Sequence, residues 1–287
     1  MASDNLKQLL KSAKTKGDIA GLARALSLID KNVIGSLKVS ELLNAPQSFR
    51  IGITGPPGAG KSTLISKLIS QFRSRQLTAA VLAVDPSSPI TKGAILGDRI
   101  RMHEHMDDEG VFVRSIGSRG HHGGLSASVY VMTRALEYFG FDIIIIETVG
   151  VGQTEVEIMN VADCVAVAVV PESGDSIQAM KAGVFEISNV FIVNKSDRPG
   201  AEQMVKELES TLGAKIFSTE AINGKGIPEL ANYLISAREK QEWKKQRAFP
   251  KRLQAEAAAL FAEKMRQDIN KKIAKIKKPR DLSRLLR

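Results

Sequence analysis

The sequence predicts an α/β fold in which a mostly parallel central sheet is flanked by helices. The first observation is a G-x-x-x-x-G-K-S pattern at 55–62, between an apolar run at 49–54 and a helical pattern at 62–75. The second is that short apolar runs alternate with helical segments along most of the chain. The third is the run of four isoleucines at 143–146, whose unbroken hydrophobicity indicates a strand buried on both faces, as in the centre of a parallel sheet.

The elements follow in a regular order along the chain. Apolar runs predict seven strands, at 49–54, 78–84, 111–115, 142–146, 163–170, 190–193 and 215–218. Helices are expected at 5–12, 18–29, 36–43, 62–75 and 125–138, through residues 105 and 181, and from 227 onward. We therefore expect an N-terminal helical extension at 1–45, a central α/β domain at 46–245 and a C-terminal helical arm at 246–287.

The G-x-x-x-x-G-K-S pattern is typical of a loop that binds polyphosphate. Its glycines let consecutive backbone N–H groups point inward at phosphate oxygens, and the following helix adds the positive end of its dipole. Lys61 is expected to reach the β- and γ-phosphates, and the Ser62 hydroxyl to ligate Mg²⁺. The expected binding residues are Gly55, Pro56, Pro57, Gly58, Ala59, Gly60, Lys61, Ser62 and Thr63.

Carboxylates follow two of the predicted strands, where open α/β sheets bind ligands. Glu147 ends the isoleucine-rich strand, and a carboxylate at that position can hold Mg²⁺ directly or through water. Gly150 can offer its N–H to a γ-phosphate with no side chain in the way. Asp85 and Asp98 are candidates for the Mg²⁺ shell or for a phosphate-sensing switch, and loop capping is an equally open interpretation of both.

A second motif predicts which base the nucleotide carries. Asn194, Lys195 and Asp197 form an N-K-x-D tetrad with Ser196, directly after a predicted strand. An aspartate can accept both the N1–H and the 2-amino N–H of guanine, which adenine does not offer. Ser218, Thr219, Glu220 and Ala221 are expected to form the loop that covers the base. Together with the phosphate loop, these residues predict a GTPase that binds GTP and GDP with Mg²⁺.

The composition limits the remaining classes of function. No apolar run is long enough to cross a membrane, and the N-terminal residues lack the apolar segment of a signal peptide. Cys164 is the only cysteine, which indicates core filling and fits a cytoplasmic protein. Residues 238–287 hold 17 basic and 6 acidic residues, while the rest of the chain holds 24 basic and 25 acidic residues. A basic tail can bind nucleic acid or a membrane, but a solvated helix face is favoured, so neither partner is expected.

The C-terminal arm carries a stripe of apolar residues at helical spacing. Its members are Leu253, Ala257, Leu260, Phe261, Met265, Ile269, Ile273 and Ile276. The stripe can pack on the chain's own domain or form the interface of a homodimer. We favour the homodimer, because a long terminal helix places its stripe beyond the reach of the domain.

Several longer stretches narrow the class of GTPase. They are VLAVDPSSP and GAILGDRIRM within 81–102, RGHHGG at 119–124, ETVGVGQTEV at 147–156, GDSIQAMKAG at 174–183 and KGDIAGLARALSLID at 16–30. These stretches resemble the MeaB/ArgK family of methylmalonyl-CoA mutase-associated GTPases. The resemblance implies a SIMIBI-class G domain and a homodimer. It also implies a GTPase chaperone that gates adenosylcobalamin delivery to methylmalonyl-CoA mutase and protects or reactivates that enzyme, with its adenosyltransferase as a further partner.

The resemblance also assigns roles to individual residues. It places Asp85 and Asp98 in a first switch, Glu147 in a second, and Gln178 and Lys181 in a segment that couples the nucleotide to the partner. Val151 follows Gly150 where small GTPases carry glutamine, so we expect slow hydrolysis that a partner accelerates. No D-x-H-x-x-G cobalamin signature occurs, which places that cofactor on the partner. A nickel-insertion GTPase, and a chaperone of another cobalamin-dependent acyl-CoA mutase, are the alternatives.

Overall fold

A seven-stranded, entirely parallel sheet forms the centre of the protein. The computed structural model describes residues 2–31, 33–36, 42, 48–85, 103–105, 107–117, 125–148, 157–173, 188–211, 215–240 and 248–274. The strands are β1 (Phe49–Thr54), β2 (Ala79–Asp85), β3 (Val111–Gly117), β4 (Ile143–Thr148), β5 (Cys164–Val169), β6 (Val190–Asn194) and β7 (Lys215–Thr219). Their order is β3-β2-β4-β1-β5-β6-β7, and every pairing is parallel. The predicted fold class and all seven predicted strands are confirmed.

Helices cover both faces of this sheet. They are α1 (Ala2–Lys16), α2 (Ile19–Lys31), α3 (Val33–Ser36), α4 (Lys61–Arg73), α5 (Ala127–Phe139), α6 (Ala201–Thr211), α7 (Ile227–Lys240) and α8 (Ala248–Ile273). Short 3₁₀ turns occur at His103–His105, Ile158–Asn160 and Pro171–Ser173. Among the helices in this described part of the chain, none is long and apolar enough to span a lipid bilayer.

The isoleucines of β4 show why the sheet is buried on both faces. Ile143 and Ile145 belong to the apolar core that also contains residues of α4 and α7. Ile144 and Ile146 belong to the opposite core, shared with α1, α2 and α5. Because side chains alternate along a strand, an apolar residue is required at each of these positions. A third cluster packs α6 against β5 and β6.

The terminal helices pack on the same side of the sheet as α5. Leu10 of α1 and Leu26 of α2 are buried in one cluster with Leu82 of β2, so the N-terminal helices share a core with the sheet. The helix α8 is also held by charged residues. Arg252 pairs with Asp163, and both side chains are about 95% buried.

The predicted apolar stripe of α8 is divided between two faces in the structure. Leu260 packs against the core of the domain. The exposed members are Leu253, Ala257, Phe261, Met265, Ile269 and Ile273. Ile276 lies outside the described residues. The apolar face is therefore turned away from the domain, because ion pairs rather than the whole stripe hold α8 in place.

Two further details differ from the predictions. The helix α6 was not predicted, although Met204 and Leu208 have helical spacing and are buried. The helix expected through residue 105 is only a 3₁₀ turn where it is described. Of the helix expected at 36–43, only Ser36 and Leu42 are described, and both are helical.

Candidate nucleotide-binding site

Most predicted site residues described by the structure gather at the carboxyl edge of the sheet. The strands β2, β3 and β4 lie on one side of β1, and β5, β6 and β7 lie on the other. The loop after β1 therefore lies at the point where the strand order reverses, and such crevices are the usual ligand sites of open α/β sheets. Glu147 near the end of β4, Asn194 at the end of β6 and Thr219 at the end of β7 lie along the same edge.

The glycines of the phosphate loop are required by its backbone. Gly55 has φ of 141°, and a Cβ there would lie 2.0 Å from the carbonyl oxygen of Ala168 in β5. Gly60 has φ of 83°, and a Cβ there would lie 2.5 Å from the side-chain nitrogen of Asn194. Gly58 has φ of 81° but faces open space within 4 Å. The loop therefore lies close to β5 and β6 and leaves an open cradle at its tip.

Lys61 begins α4, and its side chain folds back over this loop. Its ammonium group donates to the carbonyl oxygens of Gly55 at 2.7 Å and Pro56 at 3.1 Å. The side chain is 8% exposed, so the positive charge is held inside the loop. This position joins a fixed cation to the positive end of the α4 dipole, which favours an anion in the cradle.

Ser62 and Glu147 meet beside the cradle. The Ser62 hydroxyl donates to a carboxylate oxygen of Glu147 at 3.0 Å, and both residues are buried. Next to them, the Thr148 hydroxyl donates to the Thr54 hydroxyl at 2.9 Å, which joins the ends of β4 and β1. A hydroxyl and a carboxylate at this spacing are the hard oxygen donors that Mg²⁺ prefers, so the residues present fit that ion.

Asn194 joins the phosphate loop to the loop that follows β7. Its side-chain amide nitrogen donates to the Ala59 carbonyl at 2.8 Å. Its amide oxygen accepts from the Thr219 hydroxyl at 3.0 Å and from the Ala221 N–H at 3.1 Å. The side chain is 2% exposed, so these hydrogen bonds lie out of water. Asn194 therefore organises the site from below, with its amide oxygen accepting two hydrogen bonds and its amide nitrogen donating one.

A cavity of about 130 Å³ lies above Asn194. Its lining includes Gly60, Thr63, Asn194, Lys195, Asp197, Glu220 and Ala221, which were predicted, and Ile222 and Asn223, which were not. Lys195 has φ of 57°, a left-handed conformation that is uncommon outside glycine and is concentrated at functional sites.

The predicted base loop differs in detail from the expectation. Ser218 is exposed, and the Thr219 side chain is buried against Asn194, so neither lines the cavity. Glu220 does line it, but its carboxylate accepts from Lys225 at 2.7 Å and from Asn223 at 3.3 Å. These two hydrogen bonds lower the pKa of Glu220. The sequence did not show that the Ser218 and Thr219 side chains point away from the cavity. Side chains alternate between the two faces of β7, and the face that each one occupies depends on where the strand begins.

Several predicted residues cannot be compared with the structure. Asp85 is the last residue of β2 and pairs with Gly117 of β3, which places its backbone at the same edge of the sheet. Asp98, Gly150, Val151, Gln178 and Lys181 lie outside the described residues.

Cys164 is buried in β5, and burial raises the pKa of its thiol to about 12, as expected of a residue that fills the core.

Comparison with known proteins adds independent information. A sequence model of the family described as "Methylmalonyl Co-A mutase-associated GTPase MeaB" matches residues 22–278. A protein of Pyrococcus horikoshii named as a GTPase is 40% identical over 275 residues, which cover 91% of this chain and 82% of the relative. The "Methylmalonic aciduria type A homolog, mitochondrial" of Mus musculus is 32% identical over 244 residues, which cover 75% of this chain and 59% of the relative.

Solved structures show the same fold at lower identity. A protein described as "LAO/AO transport system kinase" has a TM-score of 0.67 at 23% identity, covering 95% of this chain and 87% of its own. The "Hydrogenase Maturation Factor HypB" of Archaeoglobus fulgidus has a TM-score of 0.53 at 21% identity, and the match covers 67% of this chain and 90% of the HypB chain. Both likenesses concern the fold alone, and they confirm the P-loop α/β class.

The family match covers most of the chain, and it agrees with the motifs at 55–62 and 194–197. The relatives from Pyrococcus horikoshii and Escherichia coli are named as GTPases, and so is the family, so GTP hydrolysis is the activity of this chain. This chain therefore belongs to the MeaB family of methylmalonyl-CoA mutase-associated GTPases.

Proposed function

We propose that this GTPase is a chaperone of an adenosylcobalamin-dependent methylmalonyl-CoA mutase, and that GTP binding and hydrolysis gate cofactor delivery to the mutase and its protection. The observation that carries the proposal is the family match over residues 22–278, because the family is described by its association with that mutase. The absence of a D-x-H-x-x-G signature from the sequence supports placing cobalamin on the partner. The adenosyltransferase that supplies cobalamin is a further proposed partner. We also propose that the GTPase works in the cytoplasm.

In the proposed site, the phosphate loop 55–63 holds the β- and γ-phosphates. Lys61 exchanges its hydrogen bonds to the Gly55 and Pro56 carbonyls for phosphate oxygens, which are stronger acceptors because they are charged. Asp197 accepts from the guanine edge, and Asn194 keeps the two loops in register. Gly150 donates its N–H to the γ-phosphate in this proposal.

Ser62 and Glu147 would hold Mg²⁺, with Asp85 and Asp98 as further candidates for its shell. The hydrogen bond of 3.0 Å between Ser62 and Glu147 keeps both oxygens on the phosphate side of the sheet. When bound, Mg²⁺ neutralises the charge that develops on the phosphate oxygens during transfer. The chain's own contribution is to fix these oxygen atoms beside the cradle, so that little rearrangement is needed on binding.

We further propose that two copies of the chain associate through α8. Phe261 and Met265 are 65% and 50% exposed, and Ile269 and Ile273 continue the same face. The charged side chains of Arg252 and Glu256 hold the opposite face of α8 against the domain. A long helix with its apolar face directed outward is favourable only when a partner covers that face, and a second copy supplies an identical apolar surface.

The mutase role is tested by GTP turnover with and without saturating methylmalonyl-CoA mutase. We expect the mutase to accelerate hydrolysis by about tenfold or more, since an isolated GTPase of this kind is slow. Lys61→Ala is the binding-deficient control. Lys181→Ala is expected to keep the intrinsic rate within a few-fold of the wild-type rate but to lose about tenfold in the stimulated rate.

Two outcomes would contradict the choice of partner, and a third would contradict the role of Lys181. If the mutase leaves the wild-type rate unchanged, the chaperone role toward this enzyme is wrong. If a related cobalamin-dependent acyl-CoA mutase stimulates hydrolysis instead, the partner is that enzyme. Equal stimulation of the wild-type and Lys181→Ala proteins would remove the proposed signalling role of that residue.

A further inference from the structure

The two central strands β1 and β4 separate beside the candidate Mg²⁺ site. Their backbone pairing ends at Ile53 of β1 and Glu147 of β4. The next residue of each strand stays in the sheet through its other neighbour, because Thr148 pairs with β2 and Thr54 pairs with β5. The backbone ladder therefore does not fix the distance between β1 and β4 at the point where the phosphate loop begins.

A hydrogen bond between two threonine side chains bridges this gap. The Thr148 hydroxyl donates to the Thr54 hydroxyl at 2.9 Å. Thr54 is 0% exposed and Thr148 is 1% exposed, so water does not compete for the hydrogen bond. Both side chains are β-branched, which restricts their χ1 angles and keeps the two hydroxyls in place. The pair therefore sets the distance between β1 and β4 where backbone pairing has ended.

This distance controls the spacing of the two candidate Mg²⁺ ligands. Side chains alternate along β4, so Thr148 lies on the sheet face of Ile146 and α5, whereas Glu147 lies on the face of α4 and meets Ser62 at 3.0 Å. Ser62 is connected to β1 through the phosphate loop, and Glu147 belongs to β4. A change in the distance between the strands therefore moves one oxygen donor relative to the other. Mg²⁺ is sensitive to such a change, because it needs near-octahedral geometry with oxygen atoms at about 2.0–2.1 Å.

We infer that Thr54 and Thr148 are positioning residues that hold Ser62 and Glu147 at the spacing that Mg²⁺ requires. This inference rests on the proposed Mg²⁺ site. Two hydroxyls approach to 2.9 Å here, whereas two methyl groups in their places need roughly 3.5–4.0 Å, so replacing both threonines by valine widens the gap by about 1 Å. The double replacement leaves no buried hydroxyl without a partner, so the stability of the fold should stay close to that of the wild type.

The test is calorimetric titration with a non-hydrolysable GTP analogue, once with Mg²⁺ and once with EDTA. The quantity compared is the gain in affinity that Mg²⁺ gives. We expect this gain to fall about tenfold in Thr54→Val/Thr148→Val, because Mg²⁺ tolerates little departure from its preferred geometry. The affinity in EDTA should stay within about threefold of the wild-type value, since the phosphate loop itself is unchanged. Thr148→Ser keeps the hydroxyl and should keep the wild-type gain.

A matched control is Thr133→Val, which removes a buried hydroxyl away from the site. The Thr133 hydroxyl donates to the Val129 carbonyl at 2.7 Å within α5, and the residue is 0% exposed. The gain from Mg²⁺ in this variant should equal that of the wild type. An unchanged gain in Thr54→Val/Thr148→Val would overturn the inference, and so would an equal loss in Thr133→Val or in Thr148→Ser. A wild-type affinity that does not depend on Mg²⁺ would instead overturn the proposed Mg²⁺ site itself.

Discussion

Replacement of Asn194 by alanine is expected to cost about 3 kcal/mol of stability, at roughly 1 kcal/mol for each of three buried hydrogen bonds. The substitution leaves the Ala59 carbonyl, the Thr219 hydroxyl and the Ala221 N–H without their present partner. A loss of this size is a large fraction of the roughly 5–15 kcal/mol that stabilises a typical domain, yet it leaves the protein folded. Urea denaturation should show a lower midpoint with an unchanged slope.

The matched control is Thr219→Val, which removes only one of the three hydrogen bonds. We expect it to cost about 1 kcal/mol alone, and much less in the Asn194→Ala background, since the hydrogen bond is already absent there. GDP affinity should fall in Asn194→Ala and change little in Thr219→Val, because the Asn194 side chain joins the base loop to the phosphate loop and stays in place when Thr219 is replaced. If the two single variants lose the same stability, or if their effects add fully, this account of Asn194 is wrong.

Three further predictions concern other parts of the molecule. Arg50→Met should cost about 3–5 kcal/mol because it leaves the buried carboxylate of Glu137 without its bidentate partner, whereas Arg50→Met/Glu137→Leu should recover most of the loss in chemical denaturation. The hydrogen bond from Lys225 lowers the pKa of Glu220, so the stabilisation by this pair is complete above the unfolded pKa of about 4.3 and is lost as the pH falls through the folded pKa. The difference in melting temperature between the wild-type and Lys225→Met proteins should therefore be constant from about pH 5 to 8 and shrink below about pH 4.3. A difference that grows on acidification would refute this assignment. Phe261→Glu should convert dimers to monomers in sedimentation experiments, and an unchanged mass would exclude α8 as the interface.

The sequence predicted the strands and the phosphate loop because their signals are local. An unbroken apolar run such as 143–146 has one stable location in an α/β domain, between two layers of helices. The glycine spacing at 55–62 likewise reflects the backbone conformation of the loop itself, in which Gly55, Gly58 and Gly60 have positive φ. These features therefore needed no information about distant parts of the chain.

The missed features depend on contacts between residues far apart in the chain. Arg50 and Glu137 are separated by 87 positions, and nothing near either residue indicates that they form a buried ion pair. The docking of α8 by Arg252 and Asp163 is of the same kind, and it reverses the expectation that Leu260 faces outward with the rest of the stripe. Ile222 was overlooked because an isoleucine in a polar turn has no motif of its own.

The relative affinity of the Asp197→Asn protein for GDP and XDP tests the central claim most directly. The wild-type protein should prefer GDP, because the carboxylate accepts from N1–H and the 2-amino group of guanine. In the variant, the asparagine amide can donate to the 2-oxo group of xanthine, so the preference should reverse in favour of XDP. A reversed preference is the result that this account predicts. An Asp197→Asn protein that still prefers GDP by the wild-type ratio would show that the guanine base binds elsewhere.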